Sequence, residues 1–162
     1  MFIDSAPMII TGINILEFWK EKVKNMASAT EVKTYLAHWF QLGKKLVWRN
    51  GEAELLPEKI IQGDRFAPQF EECWQKIMSV DGRECYLVGE EATIQELLSP
   101  AWTIDQCARC AMPVAMVEIG KQSLDCACSD LDNWPNSELP VPRPPVSNQV
   151  RLNNISQRLK AK

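Results

Sequence analysis

Two short cysteine pairs constrain this chain more than any other feature of its 162 residues. Cys107-Ala-Arg-Cys110 and Cys126-Ala-Cys128 are separated by the fifteen residues 111–125. Pairs at this spacing offer four sulfur donors from two short loops. That is enough to surround one Zn2+ tetrahedrally, with Zn–S distances of about 2.3 Å. The intervening chain favours closure. Pro113-Val-Ala-Met-Val-Glu-Ile119 is strand-like, and Gly120-Lys-Gln-Ser123 has turn chemistry leading to a return strand, which would bring the two pairs face to face. Four cysteine ligands close the coordination sphere and leave no position for water or substrate, so such a zinc is structural. An iron–sulfur cluster fits the spacing less well. Four metal-free thiols, buried or redox-active, are the remaining reading.

This stretch resembles a zinc ribbon, in which two cysteine knuckles on a β-hairpin share one metal ion. The resemblance covers residues 107–128 and implies Cys107, Cys110, Cys126 and Cys128 as the ligands. Two departures stand out: Ala111 occupies the position where the first knuckle usually has glycine, and the second pair is Cys-x-Cys. Four thiolates on zinc carry a formal charge of −2, which Arg109 and Lys121 are placed to offset.

The other two cysteines have no such partners. Cys73 and Cys85 lie among apolar neighbours and read as buried thiols acting as small hydrophobes. Clustered cysteines of this kind suit a reducing compartment, and a cytoplasmic location is expected. The apolar run 6–16 is broken by Pro7, Thr11, Gly12 and Asn14, too short to span a membrane. With Asp4 ahead of it and no basic residue, it is not expected to act as a secretory signal either. The single histidine, His38, sits on a predicted helix before Trp39 and Phe40 with no nucleophile marked beside it. Glu71-Glu72 and Glu90-Glu91 are adjacent pairs, which on a helix do not face each other. No glycine-rich phosphate loop occurs.

Along the chain, Asn14 and Glu17 form a capping-box pattern, and Ile15, Trp19, Val23 and Met26 predict a helix over 15–26. Ser28 and Glu31 repeat the signal, with Val32, Leu36, Trp39 and Phe40 as the apolar stripe and Gly43 as the left-handed stop. Residues 46–55 suit either a hairpin at Asn50-Gly51 or a fraying helix end, and 57–67 reads as loop. Pro68 opens a third helix bearing Phe70, Cys73, Trp74, Ile77 and Met78, ended at Asp81-Gly82. Residues 84–88 are strand-like, and Thr93 with Glu96 caps a short helix that Ser99-Pro100 stops. Prolines crowd residues 135–145, where an extended arm is expected, and Trp134 is placed to pin it to the body. Leu152, Ile155 and Leu159 follow in helical register. The expectation is an α+β chain in three parts. A small, mainly helical domain spans 1–102, a zinc-ribbon-like β-hairpin module 103–132, and a proline-rich arm with a basic tail 133–162.

The formal charge of −3 conceals an uneven distribution: +3 over residues 1–50, −11 over 51–142 and +5 over 143–162. The leading functional expectation is a non-enzymatic protein-interaction or assembly module with a structural four-cysteine zinc site, its partner met through 134–162. The second is a nucleic-acid-associated zinc ribbon contacting phosphate through Lys20, Lys22, Lys24, Arg143, Arg151, Arg158 and Lys160. The third is a dithiol redox protein using Cys107 and Cys110.

Overall fold

In the computed structural model, residues 16, 27–117, 126–146 and 148–160 are described. The helix expected over 15–26 lies outside them apart from Leu16, which is helical. Lys20, Lys22, Lys24, Lys121 and the turn and return strand expected after Ile119 also lie outside. Among the described residues the chain is a mixed fold of helices and small antiparallel sheets.

Helix α1 (Ala29–Gln41) starts where its caps dictate. The Glu31 N–H donates to Ser28 Oγ at 3.2 Å, while the Ser28 N–H donates to Glu31 Oε2 at 2.6 Å. Val32, Leu36 and Trp39 are fully buried along one face. The helix ends in a Schellman motif. Gly43, at φ +81°, donates to the Phe40 carbonyl, and the Lys44 N–H donates to that of Trp39. The positive φ is the reason glycine stands there.

Residues 46–55 form a hairpin, β1 (Leu46–Trp48) with β2 (Ala53–Leu55), and β1 also pairs with β5 (Tyr86–Leu87) in a β2-β1-β5 sheet. The connection is four residues long. Arg49 and Asn50 both adopt positive φ in it, and the Asn50 N–H donates to the Glu84 carbonyl. The segment read as loop over 57–67 holds a second hairpin, β3 (Ile61–Gln62) and β4 (Arg65–Phe66), turning at Gly63-Asp64. Strands of two residues are too short for alternation to reveal, so only the turn is visible in the sequence. Helix α2 (Pro68–Met78) begins at its proline and buries Phe70 and Ile77. The short helix α3 (Ile94–Leu97) carries the Thr93–Glu96 capping box. Residues 27–102 thus contain two small sheets as well as helices.

The cysteine-rich part rests directly on this body. Strands β6 (Trp102–Gln106) and β7 (Pro113–Val117) pair antiparallel, Trp102 opposite Val117 and Gln106 opposite Pro113. The Trp39 indole N–H donates to the Pro113 carbonyl at 2.8 Å. Met112 and Cys128 are buried in the same apolar cluster as Val32, Leu36 and Trp39. The arm that follows has turns at Asp132-Asn133 and Ser137-Glu138 and is irregular over 140–146, with Trp134 against this cluster. Pro142 is buried, and the Gln41 amide brackets Arg143, donating to its carbonyl at 2.8 Å and accepting from its N–H at 3.1 Å. The last helix, α4 (Asn148–Lys160), leaves Leu152, Ile155 and Leu159 more than half exposed. No helix among the described residues is long and apolar enough to cross a membrane.

Candidate metal centre

The β6–β7 hairpin carries the first cysteine pair at its tip. Among the described residues the partner of β7 is the strand before Cys107, so the hairpin encloses the first knuckle. The return strand that sequence patterning places between the two knuckles lies outside the described residues. At the tip, the Cys107 N–H donates to the Met112 carbonyl and the Ala111 N–H to the Cys107 carbonyl, both at 2.8 Å. The backbone N–H groups of Arg109 and Cys110 point at the Cys107 sulfur and, as the largest influences, bring its thiol down to about 7. The second pair opens a short 3-10 helix, Ala127–Asp130, in which the Cys126 sulfur accepts from the Cys128 N–H at 3.4 Å.

These two loops meet. The sulfurs of Cys107, Cys110 and Cys126 all lie within 4.8 Å of one another, and Cys110 Sγ and Cys126 Sγ are 3.8 Å apart. A tetrahedron with Zn–S of about 2.3 Å has edges of about 3.8 Å, so this separation suits two ligands of one ion. The Cys128 thiol interacts with those of Cys110 and Cys126, although it is not one of the mutually close three. Burial raises the Cys110 and Cys126 thiols above the ordinary range. An all-sulfur donor set of this kind suits zinc or other thiophilic metals. The cluster is compatible with metal binding.

No protein-family model, curated protein or solved structure matches this chain.

The geometry accounts for Ala111. It sits at φ +57°, in the left-handed region that a knuckle requires and that glycine adopts without strain. Ala111→Gly is expected to stabilise the folded chain by up to about 1 kcal/mol, because relief of the Cβ strain outweighs the added freedom of the unfolded chain. Denaturant midpoints of the two proteins measure it. A clear fall in stability would contradict the strain argument.

The other singled-out residues sit elsewhere. His38 Nδ1 donates to the Thr34 carbonyl at 2.7 Å, a bond within its own helix. Glu71 pairs with Lys33 at 2.6 Å. Cys85 is fully buried and Cys73 half-buried, and burial pushes the Cys73 thiol up to about 11 and raises that of Cys85. Both are protonated and unreactive near neutral pH. Arg143 is engaged with Gln41 and donates to the Gly63 carbonyl at 3.3 Å, while Arg158 and Lys160 are exposed on α4.

Beside the centre a cavity of about 640 Å³ is lined by Tyr35, Lys44, Glu90, Trp102, Cys107 and Asp130, among others. Sequence reasoning misses Tyr35, Lys44 and Glu90 as neighbours of the site. Burial raises the Tyr35 phenol and the Glu90 carboxyl. In the sequence Lys44 registers only as a cation near the end of α1. No local signal shows that it reaches a residue 83 positions further along the chain.

Proposed function

We propose that this chain is a protein-interaction or assembly module whose Cys107, Cys110, Cys126 and Cys128 hold a structural zinc ion. The observation that carries the reading is the convergence of three thiols from two separate loops to within 4.8 Å of one another. Cys128 supplies the fourth donor. Bound there, zinc would tie the tip of the β6–β7 hairpin to the 3-10 helix across a segment of fifteen residues, residues 111–125. Its role is to hold these two loops in one arrangement on the body. With four thiolates around it, no coordination position is left open. The interaction half of the reading is supported by α4, where Leu152, Ile155 and Leu159 are 52–74% exposed, and by the absence of any acidic residue over 143–162.

Reduced, purified protein is expected to contain one zinc per chain and to be colourless in the visible range. A brown protein with stoichiometric iron and sulfide, or a chain with no bound metal and four freely alkylated thiols, would overturn the site. Affinity should depend strongly on pH. Zinc takes thiolates, and the Cys110 and Cys126 thiols, raised in the metal-free protein, must each release a proton on binding. The Cys107 thiol, at about 7, is already substantially ionised near neutral pH. Apparent affinity therefore falls as pH falls, by about a hundredfold or more per unit near neutrality, since at least two protons are released, and more steeply once Cys107 also protonates. Chelator competition at two pH values measures the slope, and a pH-independent affinity would contradict thiolate ligation.

A further inference from the structure

We propose that Lys44 is the positioning residue of the second knuckle, its ammonium fixing the Cys126-Ala127-Cys128 backbone in the geometry that receives the metal. The inference rests on the zinc reading and goes beyond it by naming what holds the ligand loop in place. Lys44 is 4% exposed, the one charged residue buried among the described residues. A buried ammonium is costly unless its donors are used. Here Lys44 Nζ donates to the Ala127 carbonyl at 2.7 Å and to both oxygens of Asp130 at 3.0 and 3.1 Å. Ala127 is the residue between the two cysteines of the pair, and Asp130 ends the same 3-10 helix. Both contacts therefore fall on the ligand loop itself.

The ammonium is held from the other side by α1. The Schellman motif sets the Lys44 backbone through its bond to the Trp39 carbonyl, and Lys44 Nζ lies 5.2 Å from the centre of the buried Trp39 ring. Gly89 closes the remaining side. A Cβ there would come within 2.8 Å of Asp130 Oδ2 and 3.6 Å of Lys44 Nζ. Lys44 thus links the rigid end of α1 to a loop whose own backbone hydrogen bonds are local. Without it, the metal would have to order that loop itself, and the cost would appear as lost affinity.

Zinc affinity measured by chelator competition on the full chain tests this, alongside thermal unfolding of the metal-free and loaded forms. Lys44→Met keeps the length of the side chain and removes its donors. Of the carboxylates that lose its charge, Asp130 is half exposed to water and Glu90 is half-buried, already raised by burial. The variant is expected to bind zinc about 10- to 100-fold more weakly than wild type, and the absorption of its cobalt(II)-thiolate complex is expected to shift. Asp130→Asn should weaken binding less, and the double variant should match Lys44→Met, because Asp130 acts through Lys44. Wild-type affinity in Lys44→Met, with both forms losing equal thermal stability, would overturn the positioning role and leave the metal site intact. If Lys44→Met does not fold, Asp130→Asn decides alone, and unchanged affinity there overturns the proposal. A wild-type chain that takes up no zinc overturns both readings.

Discussion

Replacing Cys107 and Cys110 together by serine is expected to abolish stoichiometric zinc uptake and to remove the whole stabilisation that the metal confers. These two positions are the informative ones. Both residues are only half-buried overall. Cys128, by contrast, is 2% exposed, and serine there would bury a hydroxyl and destabilise the chain whether or not metal binds. The energy at stake is large. Structural zinc in small domains binds with an apparent free energy on the order of 10 kcal/mol near neutral pH, and the binding energy contributes directly to folding. The decisive comparison is with chelator-treated wild type. The double variant should unfold at the same temperature as the metal-stripped wild-type chain, and chelator should no longer shift it. A double variant that still carries one zinc, or a wild type whose unfolding is indifferent to chelator, would refute the centre.

Trp39→Ala carries the second-largest expected effect, about 3–5 kcal/mol of stability. Trp39 is fully buried on α1 and is among the largest side chains in the core. Its indole N–H reaches across 74 residues of sequence to the Pro113 carbonyl at the start of β7, and its ring lies beneath the Lys44 ammonium. Alanine would leave a cavity at the junction of helix and hairpin and would remove both polar contacts. Trp39→Phe, which keeps most of the volume, should cost only about 1 kcal/mol from the lost hydrogen bond together with a small repacking term. Denaturant titration separates the two variants by midpoint at constant slope. Equal, small losses in both would show that Trp39 does not join the two parts as the geometry requires.

That the thiols of Cys107, Cys110 and Cys126 belong together is suggested without the fold by the spacing of cysteines over a few positions. The strand partner is harder. The strand β6, from Trp102 to Gln106, falls where composition shifts towards cysteine and proline, so it reads as a boundary between parts. Its identity as a strand depends on β7 lying beside it. Pro142 and Arg143 present the same difficulty. The proline pattern marks an arm outside the periodic segments, but the Gln41 amide that grips it lies 102 residues earlier.

The capping boxes at Ser28 and Thr93, the proline start of α2, the Gly43 stop and the pairing of the cysteines are all local. Each is a hydrogen bond, a steric limit or a ligand spacing satisfied within a few residues, and each can be read from the chain alone. The enclosure of the first knuckle by β6 and β7, the burial of the hairpin against Trp39 and the reach of Lys44 to Ala127 are set by packing. Such contacts join residues far apart in sequence through geometry that no single segment encodes. A lysine just beyond a helix end carries the same local signal whether it faces water or is buried against a ligand loop.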